Sequence, residues 1–128
     1  MGDPLVLVVD DSRVIRELIS VNLEMEGFDV HTASDGVAAL EALDHVRPQV
    51  ITLDAMMPRL DGFATLARLR ADERTRQIPV VMVTARAQAA DIARGKAAGA
   101  DAYVTKPFEP ADLVDLVRRF ATEGRAGG

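Results

Sequence analysis

Five short aliphatic runs alternate with five stretches of helical periodicity, and this alternation constrains the chain more than any other feature. The runs are Leu5–Val9, Phe28–Thr32, Val50–Leu53, Pro79–Val83 and Ala102–Thr105. Three of them (LVLVV, VITL and VVMV) are almost continuously hydrophobic, as strands are when helices cover both faces of a parallel sheet. The second, FDVHTA, is more polar and suits a sheet edge. Between the runs, Ser12–Glu26 sets Val14, Leu18, Val21 and Met25 on one stripe, the face expected to pack, and Gly27 suits the position just past the helix. Ser34 is the expected cap of a second helix that carries Val37, Leu40 and Leu43 to about His45. A third spans about Asp61–Arg70 with Phe63, Leu66 and Ala67 inward. Ala87–Ala98 is an Ala-rich fourth with Gly95 inside it. The last starts near Pro110, a residue favoured in first turns, and packs Leu113, Leu116, Val117 and Phe120. Strand–helix alternation repeated five times implies an α/β fold, a doubly wound five-stranded parallel sheet with right-handed crossovers.

With 128 residues there is room for one domain. The residues from 123 to 128 are Gly-rich and are expected to form a disordered tail. Hydrophobic residues make up 48% and charged residues 27%, which places the chain among soluble globular proteins. A formal net charge of −5 opposes direct nucleic-acid binding, because phosphates would be repelled. The absence of cysteine excludes disulfides and thiolate chemistry. No aliphatic run is long enough to span a bilayer, and no basic segment precedes the first one, so a cytoplasmic protein is expected.

Four of the five strands end on an unusual polar residue: LVLVV on Asp10-Asp11, VITL on Asp54, VVMV on Thr84 and AYVT on Lys106. In an open parallel sheet the carboxyl ends lie along one edge, where ligands bind. Residues far apart in sequence therefore converge there as three carboxylates, a hydroxyl and an ammonium. Each has an ordinary alternative: Asp11 or Ser12 can simply cap the first helix, and Thr84 the fourth. Asp54 fits that role poorly, since Ala55-Met56-Met57-Pro58 follows it and no helix does. Lys106 sits before the start of the last helix, where the dipole disfavours a cation unless an anion is near. Clustered carboxylates need a counter-charge, and a hard cation such as Mg²⁺ fits an all-oxygen donor set. Such an ion neutralises a phosphoryl group during in-line transfer, which one carboxylate can accept as an acyl phosphate.

VVDDS, LDAMMPRLDG, VTA and YVTKPF, in this order and spacing, resemble the receiver domain of two-component response regulators, over about Pro4 to Thr122. The resemblance implies a flavodoxin-like (βα)5 fold with strand order 2-1-3-4-5. It implies Asp54 as phosphoacceptor, and Mg²⁺ held by Asp10, Asp11, Asp54 and the Met56 backbone carbonyl. It further implies Thr84 and Lys106 as holders of phosphoryl oxygens, Thr84 and Tyr103 as switch residues, Gly62 as the turn glycine and a cis Lys106–Pro107 bond. The implied function is a signalling switch, not an enzyme in its own right. A histidine kinase or His-phosphotransfer protein would load it, and a face formed by the fourth helix, fifth strand and fifth helix would signal to an effector protein. No direct nucleic-acid or membrane partner is expected.

Two other functions are conceivable. A small Mg²⁺ phosphohydrolase with an aspartyl nucleophile would want a second acid/base carboxylate near Asp54, where position 56 is Met. A flavin binder would want aromatic residues to sandwich the ring, and the chain has one Tyr and no Trp. His31 and His45 lack metal-ligand spacing, so the phosphodonor histidine must come from another protein. Charged pairs that join family members into dimers would fall at Ile92, Ala102 and Leu116, which puts that pairing in doubt and favours a stand-alone regulator. The resemblance also implies that Met56 and Arg86 flank the approach of hydrolytic water, with Arg86 against the acyl phosphate.

Overall fold

In the computed structural model, which describes residues 3–125, Leu5–Val9 forms the interior strand β1, and its side chains alternate between two cores. Leu7 and Val9 enter one layer and Val6 and Val8 the other, each at most 1% exposed. The remaining strands are β2 (Asp29–Ala33), β3 (Val50–Leu53), β4 (Val80–Thr84) and β5 (Ala102–Thr105). All pair in parallel, in the order β2-β1-β3-β4-β5. The polar β2 indeed lies at an edge, with Asp29, His31 and Thr32 exposed.

Helices α1 (Arg13–Met25) and α5 (Pro110–Glu123) cover one face. There Ile19, Leu23, Leu113, Val117 and Phe120 pack on Val6, Val8, Val50, Val81 and Val83. Helices α2 (Gly36–Ala42), α3 (Gly62–Ala71) and α4 (Ala89–Ala98) take the other face, where Ala39, Phe63, Leu66 and Leu69 meet Leu7, Ile51, Leu53 and Met82. Truncating a fully buried leucine such as Leu7 or Leu66 in such a core costs ~2–5 kcal/mol.

Several local expectations change. The stripe Val14, Leu18, Val21 and Met25 does not pack inward: these residues are 73%, 40%, 53% and 78% exposed. A second stripe on α1, Ile15, Ile19 and Leu23, faces the sheet instead. On α3 the inward residue is Leu69, while Ala67 is exposed. The N-cap of α2 is Asp35, whose side chain accepts from the Ala38 N–H, because Ala33 still belongs to β2 and Ser34 turns outward. That helix ends at Ala42, short of His45. Ser12 caps α1 through the Ile15 N–H, and Gly27 has the positive φ, 91°, that its place after the helix requires.

The first residues of the expected tail continue from α5. Glu123 is helical, and Arg125 donates to Asp101 Oδ1 at 2.9 Å and to the Arg76 carbonyl at 2.8 Å. An arginine is long enough to reach back to the body of the domain, which a glycine-rich composition hides. Residues 126–128 lie outside the described residues.

Candidate functional site

The carboxyl edge of the sheet gathers the polar residues as their placement at strand ends requires. Asp10 follows β1 and is 1% exposed, Asp54 follows β3 and is 5% exposed, and Asp11 beside them is open to solvent. Carboxylate oxygens of the three lie within 4.8 Å of one another. Lys106 reaches in from the end of β5, its Nζ 2.8 Å from Asp10 Oδ2 and 3.3 Å from Asp54 Oδ2. Thr84, the last residue of β4, is fully buried.

One ammonium thus serves two buried carboxylates. Burial opposes the charge on Lys106, but hydrogen bonds and charges from Asp10 and Asp54 outweigh it, and its pKa stands above the ordinary lysine value. For Asp10, burial dominates. Burial pushes its carboxyl above the usual range, although hydrogen bonds from Lys106 and the Ser12 N–H pull the other way. The pocket is therefore short of positive charge, and its exposed donors are all hard oxygens. That set fits Mg²⁺, which neutralises carboxylates without softer ligands.

Backbone geometry fixes the pocket. Asp54 Oδ1 accepts the Met56 N–H at 3.2 Å, which turns the chain directly after the carboxylate. A Cβ on Gly62 would come 2.1 Å from the Asp54 carbonyl oxygen, so only glycine fits where α3 starts. The Lys106–Pro107 bond is cis, as the resemblance implied.

The residues expected to switch both bind the backbone of Arg86. The Arg86 N–H donates to Thr84 Oγ1 at 3.3 Å, and the Tyr103 hydroxyl donates to the Arg86 carbonyl at 2.7 Å. Burial, with Asp91 nearby, holds the Tyr103 pKa above the ordinary phenol value, so the hydroxyl stays a donor. The Arg86 guanidinium pairs with the start of α4. Its Nε is 3.1 Å from Asp91 in the first turn of α4, where a carboxylate also suits the helix dipole. Met56 is 55% exposed beside Asp54.

Three residues near the site were not singled out in the sequence. Arg16 donates to the Asp10 carbonyl at 2.8 Å. Arg59, in the loop between Asp54 and α3, forms a bidentate pair with Asp35. The only sequence signal for Arg59 is its place in a turn that demands a left-handed residue. His31 and His45 are exposed and away from the cluster.

A family model described as response regulator receiver domain matches residues 6–118. The DNA-binding dual master transcriptional regulator RpaA of Synechocystis is 45% identical over 115 residues, covering 90% of this chain and 48% of its own. This chain spans about half the length of the curated relatives it matches. Among solved structures, the receiver domain of a Francisella response regulator superposes with a TM-score of 0.87 at 34% identity, covering 94% of this chain and 98% of its own. The receiver domain of a Pseudomonas aeruginosa sensor histidine kinase, solved with a magnesium ion coordinated in its active site cleft, gives 0.87 at 30% identity, covering 95% and 100%.

Proposed function

Because this chain belongs to the response regulator receiver domain family, we propose that Asp54 is its phosphoacceptor and that Asp10, Asp11 and the Met56 carbonyl join Asp54 in holding Mg²⁺. The observation that carries this reading is the convergence of three carboxylates, two of which share one ammonium. Bound there, Mg²⁺ supplies the positive charge that lets a phosphoryl group approach an acidic pocket.

The chain's own residues do the rest. An Asp54 carboxylate oxygen attacks phosphorus in line, the O–P bond forms, and the P–N bond of a phosphohistidine breaks with its electron pair leaving on the imidazole. Lys106 exchanges its bond to Asp54 for one to a phosphoryl oxygen, and the Thr84 hydroxyl donates to another. Receiver domains of this family interact with histidine kinases, and we assign the same class of phosphodonor here. The four apolar residues exposed along α1, with Met56 beside Asp54, offer that donor a surface, since Ser12 and Asp11 put the start of α1 at the pocket. Their spacing of four, three and four residues is that of a seam for a partner helix. Tyr103 and Thr84 then act as the switch toward an effector protein, with the domain taken as residues 4–122. No helix among the described residues is long and apolar enough to cross a membrane, and a cytoplasmic setting completes the proposal.

The test is intact mass after incubation with acetyl phosphate. The parent should gain one phosphate with Mg²⁺ and none in EDTA. An Asp54→Asn variant that gains the same label would refute the assignment.

A further inference from the structure

Residues 54–62 leave β3, carry the Met56 carbonyl and return to α3. The base of this loop is closed by the Gly62 N–H donating to the Ala55 carbonyl at 2.9 Å. Met57 rests on the core of α2 and α3, but Met56, Pro58 and Arg59 are exposed. Among the described residues, the hydrogen bonds that tie 56–60 to a distant element all belong to Arg59. Its Nε is 2.8 Å from Asp35 Oδ2 and its Nη2 3.0 Å from Asp35 Oδ1.

Two features set this pair apart from an ordinary surface bridge. Arg59 has φ 68°, the one positive φ of a non-glycine residue among those described, a conformation disfavoured for a side chain with a Cβ. Such an outlier persists only where its surroundings impose it, and such positions concentrate at functional sites. The partner is also fixed: the Asp35 side chain is 10% exposed and already caps α2 through the Ala38 N–H at 2.8 Å. Beside it, a Cβ on Gly36 would come 2.5 Å from the Leu60 carbonyl oxygen, so α2 begins directly against the loop. A planar guanidinium gripped at two points fixes orientation as well as distance.

We propose that Arg59 and Asp35 are positioning residues for the metal site. They clamp the loop so that the Met56 carbonyl stays turned toward the carboxylates. The inference rests on the reading of the pocket as a Mg²⁺ site. It places the rigidity of that site in an ion pair with α2, which contributes no ligand.

The experiment is titration with Mg²⁺ alone by calorimetry, paired with thermal denaturation in EDTA. The variants are Arg59→Gly, which also removes the φ strain, and Asp35→Ser, which keeps a capping oxygen for α2. Each should weaken Mg²⁺ binding by about tenfold, the scale typical for a group that holds a metal ligand in place. The double variant should be no weaker than either single, since both remove one interaction. Arg59→Lys should lie between, a point charge replacing a fork. If both single variants bind Mg²⁺ within about twofold of the parent while melting lower, the pair is only structural and the clamp is refuted. A parent that binds no Mg²⁺ would overturn the pocket reading itself, an outcome distinct from variants that bind like a binding parent.

Discussion

Replacing Asp11 with Ala should make the metal-free protein more stable and its Mg²⁺-saturated form less stable than the parent. Asp11 faces two carboxylates within 4.8 Å. Two unit charges at that distance repel by ~3.5 kcal/mol at an effective dielectric of ~20 and by ~0.9 kcal/mol in bulk water. Asp11 is exposed, so each repulsion lies toward the lower figure. Lys106 offsets roughly one of the two, which leaves a net repulsion of ~1.5 kcal/mol. Against it stands the dipole at the start of α1, which favours a nearby carboxylate by ~0.5 kcal/mol. Repulsion wins by ~1 kcal/mol, or about 4 °C in Tm for a domain of this size.

Mg²⁺ reverses the order. An ion at a hundredfold excess over its Kd stabilises the native state by ~2.7 kcal/mol, about 10 °C on the same scale. The variant should lose most of that gain. Thermal melts followed by circular dichroism, in EDTA and in Mg²⁺, measure both differences in one experiment. Raising the ionic strength in EDTA should narrow the gap between parent and variant, since exposed charges are screened. A variant less stable than the parent in EDTA would refute the repulsion argument. One that gains as much as the parent from Mg²⁺ would remove Asp11 from the metal site.

Two further outcomes follow from the structure. Leu18→Glu puts a charge in the exposed seam of α1, and should slow phosphotransfer from a phosphohistidine protein by at least about tenfold while leaving labelling by acetyl phosphate unchanged; equal slowing of both would remove α1 from docking. Asp101→Ala strips the carboxylate that holds Arg70 at 3.0 Å, Arg125 at 2.9 Å and the Val80 N–H at 2.8 Å. Burial already lowers the Arg70 pKa to about 10, so leaving it unpaired should cost ~3 kcal/mol by urea denaturation, and a loss under about 1 kcal/mol would show that water replaces the carboxylate.

The polar strand ends were legible because a parallel sheet sends every carboxyl end to one edge, so topology alone brings Asp10, Asp54, Thr84 and Lys106 together. The packing face of α1 was not legible. Val14, Leu18, Val21 and Met25 satisfy helical periodicity as well as Ile15, Ile19 and Leu23 do, and only contact with the sheet decides between them. Ser34 and Asp35 are both good caps, and the choice falls to Asp35 because β2 runs through Ala33. The pairs Arg59–Asp35 and Arg70–Asp101 span 24 and 31 residues, and no local pattern announces an arginine's distant partner. The pairing of Arg86 with Asp91, five residues on, was likewise not read from the sequence.

In the proposed switch Arg86 takes part through its backbone. Its N–H is held by Thr84 and its carbonyl by Tyr103, so a move of the Thr84 hydroxyl toward a phosphoryl group on Asp54 would loosen both. The Thr84 bond, at 3.3 Å, is long, and the Tyr103 bond is open to replacement by water. Together they stabilise this arrangement by only ~1–2 kcal/mol. A charge-assisted bond from Thr84 to a phosphoryl oxygen contributes ~1.5–3 kcal/mol. The two states would therefore lie within a few kcal/mol of each other, close enough for one phosphoryl group to reverse their populations. Sterics also tie Tyr103 to α4. A Cβ on Gly95 would come 2.9 Å from the Tyr103 ring, so α4 has room for the ring only because residue 95 is glycine. The Tyr103 ring thus touches α4 at Gly95 while its hydroxyl binds the Arg86 carbonyl, which joins the two ends of the proposed switch.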